Sequence, residues 1–171
     1  MEQDLLASDI QEESGTGIPP LLKPIVYSGM TVGVLDGLAA SVSSLVQGGK
    51  PFRVFQYIAS GLLGPDAFQG GWATFFLGLL LHFVIAFGAS AVFVLASRFI
   101  PVLTRVPFYI AGPIYGVLVY FFMRDLIIPM SLVTRLNYNA GASAIGIMIH
   151  ILFVGLPIAF INSRFNKEFT S

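Results

Sequence analysis

Six side chains stand out because their types can do chemistry inside an otherwise apolar chain: Asp36, His82, Tyr120, Arg124, Asp125 and His150. His82 and His150 are the only two histidines. An ionisable group in hydrocarbon is costly, so each should face protein or water and mark a path or a contact. Three chemistries fit these types. An acid and two imidazoles can pass or hold protons along a transport path. Two histidines at matched depth, each with a glycine one turn earlier (Gly78 and Gly146), could be axial ligands of a b-type haem. Two histidines plus Asp36 could form a metal site with an open position, as in zinc hydrolases. The plainer alternative is that these groups hydrogen-bond across a helix bundle and fix its register. No catalytic residue is assigned, since the chain has no HExxH, no GxSxG, no phosphate loop and no acid pair at catalytic spacing. No cofactor is expected, with haem b as the alternative.

The elements that must position these groups are membrane helices. Of 171 residues, 56% are hydrophobic and 11% charged, against about 25% charged in soluble domains. So few charges cannot cover a soluble surface, which makes the lipid bilayer the expected solvent. Net charge is zero, so no field favours nucleic acid. Cysteine is absent, which removes disulfides, thiolate catalysis and thiolate metal sites. The fold class read from the sequence is all-α: a four-helix transmembrane bundle with spans at about 25–46, 71–97, 108–128 and 140–160. Each run reaches the roughly 20 residues a crossing needs. Pro113 reads as a kink or a true start of the third span, and Pro157 as freeing a carbonyl near Phe153.

The segment 50–70 is too polar and broken to span. Pro51 can open a helix in which Arg53, Gln56 and Ser60 share one face and Phe55, Ile58 and Leu62 another. That predicts a short interfacial or re-entrant helix between spans one and two. Phe52, Tyr57, Phe68 and Trp72 would form an aromatic belt.

Depth follows from the helical rise. Asp36, His82 and His150 each lie on the order of 15 Å from a membrane face, near the midplane. Orientation follows from small residues at four-residue spacing. Gly29, Gly33 and Gly37 make a ridge on span one that another backbone could approach closely. Gly78, His82, Ala86 and Ser90 line up on span two; Gly112, Gly116, Tyr120 and Arg124 on span three; Ala142, Gly146 and His150 on span four. Small residues mark helix contacts in membranes, so these stripes should point inward. Arg124 and Asp125, as sequence neighbours, are not expected to face each other. Arg124 is expected to reach Asp36 or Asp66, and Asp125 to reach Arg53 or Arg135.

Residues 1–23 read as an acidic disordered tail with Glu2, Asp4, Asp9, Glu12 and Glu13, and no signal-peptide pattern. Residues 162–171 read as a short polar tail. Lys23, Arg98, Arg105, Arg164 and Lys167 gather on one side of the bundle, Lys50, Arg53 and Arg135 on the other. This bias predicts cytoplasmic termini.

Four runs carry a resemblance: IASGLLG at 58–64, GLLLHF at 78–83, GPIYG at 112–116 and GLPIA at 155–159. Together they make the chain resemble a family of small, uncharacterised bacterial integral membrane proteins of four spans, and more distantly the YagU-type inner-membrane proteins. The resemblance implies a bacterial inner-membrane location and no particular activity. The expected function is a small permease or a membrane-assembly component with an Asp/His polar core. A transport path through so small a bundle would need a homo-oligomer or a membrane partner.

Overall fold

A computed structural model describes residues 18–133 and 140–168, apart from the side chains of residues 104, 167 and 168. The acidic segment up to residue 17 and Arg135 lie outside the described residues. Helix α1 is Leu22–Val46, α2 Pro51–Leu63, α3 Gly71–Phe99 and α4 Phe108–Met130. Helix α5 is continuous through Ala140–Ile149, His150–Gly155 and Leu156–Glu168, so it runs well into the stretch read as a polar tail. Among the described residues there is no strand. Four helices among the described residues are long and apolar enough to cross a membrane, the shortest having 23 residues and the longest 29. At about 1.5 Å per residue each exceeds the roughly 30 Å of hydrocarbon. The protein is an all-α, multi-pass membrane protein.

Its surface is compatible with a lipid solvent. On α1 the exposed face is Met30, Val34, Leu38, Val42 and Leu45, while the buried face is Ser28, Gly29, Val32, Gly33 and Gly37. Large apolar side chains point out and small ones point in, the reverse of a water-soluble helix. The sealed half of the bundle holds Val32, Phe93, Ala111, Val154 and Ile158 from all four spans. Tyr115 braces it by donating to the Ala89 carbonyl oxygen at 2.7 Å.

The glycines act differently from one another. The α1 ridge admits side chains of α3 rather than its backbone: Gly29 faces the Phe87 ring, Gly33 the Phe83 ring, and Gly37 the His82 ring. True backbone contact occurs elsewhere. A Cβ at Gly78 would run into the Phe55 carbonyl of α2, and Gly112, Gly116 and Gly155 let α4 and α5 touch main chain to main chain. Gly48, at φ 77°, takes the left-handed turn that ends α1 and lets the Gly49 amide bond the Ser44 carbonyl at 2.8 Å.

Helix α2 is the predicted extra helix, lying across the start of α3. Two members of its polar face turn inward, while Arg53 is exposed. Gln56 and Ser60 are buried, and Gln56 donates to the Gly71 carbonyl and to Thr74 Oγ1, both at 3.2 Å. The outward side carries Leu62 and Leu63. The bond from Gln56 gives the Gly71 carbonyl a partner at the turn into α3. Of the expected aromatic belt, Phe52 and Trp72 do meet, joined by Phe75. Phe68 lies instead under the Arg53 guanidinium, and Tyr57 turns into the bundle.

Two spans contain π-helical turns, Met123–Ile127 in α4 and His150–Gly155 in α5. Each ends two residues before a proline, Pro129 and Pro157. A proline ring clashes with the carbonyl four residues back and lacks the amide to bond it. Widening the preceding turn relieves both problems. Pro113 lies inside α4, whose start is at Phe108.

Candidate functional site

The site is a cleft between α1 and the first half of α5. Helix α1 packs along α3 and along the Leu156–Glu168 segment, but barely touches Ala140–Ile149. The two helices therefore diverge, and a cavity of about 480 Å³ opens between them. Its α1 wall is Asp36, Ala40, Ser43, Ser44 and Gln47, residues at helical spacing on one face. Its α5 wall is Ala142, Ile145, Gly146, Ile149 and His150, and Tyr57 of α2 closes one side. Gln47 Nε2 donates to Ser43 Oγ at 2.9 Å and to the Ser43 carbonyl at 3.1 Å, ordering the upper wall.

Asp36 is half-buried and makes no hydrogen bond or ion pair among the described residues. His150 Nδ1 lies 2.9 Å from the Gly146 carbonyl oxygen. A carbonyl only accepts, so Nδ1 carries a proton, and in the neutral form of the ring Nε2 would keep a lone pair. Behind His150 stands Tyr120, edge-on with ring centroids 5.4 Å apart. Gly146 leaves the room that the Tyr120 ring fills. The Arg124 guanidinium covers the Tyr120 and Phe121 rings at 5.5 and 4.5 Å.

His82 takes another role. It is buried, and its Nε2 donates to the Gly33 carbonyl oxygen at 2.8 Å, locking α3 to α1. Phe55 and Phe83 flank the ring. A Cβ at Gly37 would come within 3.1 Å of Nε2, so glycine there makes room for the bond. His82 does not line the cleft. With its Nε2 taken and no cavity shared with His150, the pair lacks the geometry of two axial ligands on one porphyrin. Among the described residues no three His, Cys, Asp or Glu side chains cluster as a metal site.

Arg124 and Asp125 correct an expectation. They pair with each other, Arg124 Nε donating to Asp125 Oδ1 at 2.7 Å and Nη2 to Oδ2 at 2.8 Å. Both lie in the widened π turn, and the long arginine stem wraps back to its neighbour. Asp125 is 57% exposed and so stands on the outer surface rather than in the polar core. The partnerships with Asp36, Asp66 and Arg53 do not form.

Thus Asp36 and His150 share the cleft, Tyr120 and Arg124 back it, and His82 and Asp125 lie outside it. Ser43, Ser44 and Gln47 join the lining without having been singled out from the sequence, and Tyr57, expected in an aromatic belt, joins it too. The signal existed, because 36, 43, 44 and 47 repeat at helical intervals down span one. Comparison of the chain with protein-family models, curated proteins and solved structures finds no match.

Proposed function

We propose that this protein is a small bacterial inner-membrane permease, with cytoplasmic termini, that takes up a small organic cation such as a primary amine. The observation that carries this reading is the Asp36–His150 cleft. Among its lining residues Asp36 is the one formal charge, and no lysine or arginine lines it. A lone carboxylate inside a mostly apolar wall attracts a positive charge more strongly than it would in water. The lone pair at His150 Nε2 offers an acceptor for an ammonium N–H. Ser43 and Tyr57 hydroxyls supply further polar contacts, and the volume suits a small molecule. The half of the bundle beyond His150 is closed by Val32, Phe93 and Ile158. Passage across the membrane therefore requires that half to open, or a second copy to complete the path.

The test is uptake of radiolabelled primary amines of increasing chain length into proteoliposomes. Asp36→Asn should abolish uptake while leaving helicity and the melting temperature unchanged. If Asp36→Asn transports normally, or merely melts earlier, the carboxylate is a packing element and the permease reading is wrong.

A further inference from the structure

The opposite end of the bundle carries a second cavity, of about 500 Å³, unrelated to the amine cleft. It lies where the chain turns from α3 into α4, against the last turns of α5. Its apolar wall includes Phe93, Ala111 and Ala159; its polar wall is Arg105, Asn162, Ser163 and Asn166. We propose that this cavity binds the headgroup of a membrane phospholipid, a phosphate diester whose head carries an N–H or O–H donor.

Three features point to that chemistry. First, Arg105 is exposed at the cavity and makes no ion pair or hydrogen bond among the described residues. An unpaired guanidinium is suited to the two oxygens of a phosphate diester. Second, α4 begins at this cavity. Its first main-chain bonds run from Ile110 and Ala111 to the Pro107 carbonyl, so the amides of Phe108 and Tyr109 precede the helix ladder. Both residues line the cavity, and a long helix presents partial positive charge there. Third, Asn162 is buried to 2% exposure. Its Nδ2 donates to Ser97 Oγ at 3.3 Å, but its Oδ1 accepts from no protein group. A buried acceptor without a donor is costly. An ethanolamine ammonium or a glycerol hydroxyl supplies the donor; a choline head cannot. The surrounding charge agrees, since Lys23, Arg98 and Arg164 belong to the same end of the bundle. Next to the cavity, Tyr109, Ile110 and Ile114 present an exposed apolar face on which acyl chains can lie.

The full chain, purified in a neutral detergent, should be offered phosphatidylethanolamine, phosphatidylglycerol and phosphatidylcholine, and retained lipid counted by native mass spectrometry. Ethanolamine or glycerol lipid should be retained about tenfold more than choline lipid, the weight of one hydrogen bond to a buried acceptor. Equal retention of all three overturns the proposal, and this contrast needs no variant. Arg105→Ala should lower retention about tenfold, as loss of a charge-assisted bond does. Arg164→Ala is the control, because its guanidinium lies over the Phe160 ring and does not line the cavity. Equal losses in the two variants would mean diffuse surface attraction and would sink the site. Soluble phosphoethanolamine and glycerol 3-phosphate are the remaining arm. If they displace the lipid at equal concentration, the ligand is a free phosphate ester and the lipid assignment fails.

Discussion

His82 and His150 are the same residue type in one small bundle, yet the regions around them differ in kind. Around His82 everything is closed. The Gly33–Gly37 ridge, Gly78 and the α2 crosspiece bring three helices so near that the imidazole is a strut between main chains. Around His150 one side is open, because α1 leaves α5 just where the histidine begins to face it. The two rings also bond carbonyls through different nitrogens. His82 donates through Nε2 to Gly33; His150 donates through Nδ1 within its own helix. On the permease reading, intramembrane polarity is available for function only where a neighbouring helix withdraws. A polar group between helices that stay together is an internal staple.

This contrast can be broken by experiment. The largest effect is expected at Gly78, where an added methyl meets the Phe55 carbonyl and α2 must lift off α3. Gly78→Ala should cost about 3 kcal/mol or more in SDS-titration unfolding and unseal His82. Next come the histidines themselves. His82→Ala loses a buried hydrogen bond and its packing, at about 2–3 kcal/mol. His150→Ala, at a half-open wall, should cost under about 1 kcal/mol yet abolish amine uptake. Equal stability losses at the two positions would erase the distinction between strut and site. The smallest effect is expected for Asp125→Asn, since the carboxylate is mostly exposed and remote from the cleft lining. Amine uptake should be unchanged; a loss there would return Asp125 to the polar core.

The spans and their inward stripes were legible because apolar length and four-residue spacing are direct signals. On α3 the stripe Gly78, His82, Ala86 and Ser90 is buried throughout. What depth alone could not say was azimuth. Asp36 follows Gly33 by three residues and precedes Gly37 by one, so on a helix turning 100° per residue it leaves the ridge that faces α3. It therefore looks toward α5 rather than His82. The Ser43, Ser44 and Gln47 wall escaped notice because serines and glutamine near a helix end read equally well as the approach to water. The Arg124–Asp125 pair was misjudged because neighbours diverge on an α-helix, whereas here the helix is widened; Pro129 was the available clue. The inward polarity of α2 depended on the Gly71 carbonyl and the Thr74 hydroxyl, which belong to a different element.

The π turn at His150–Gly155 does more than absorb Pro157. A helix with one wide turn has slipped by a residue, so the stretches before and after it keep a common axis but separate angular settings. Helix α5 is in effect two rods on one shaft, clutched at the histidine. The Leu156–Glu168 rod is indexed to the sealed core through Ile158 and Asn162, and the Ala140–Ile149 rod to the cleft. Lining residues on the second rod can therefore change in size or polarity without retiming the first. A bundle this small can alter what it holds without redesigning how it stays together.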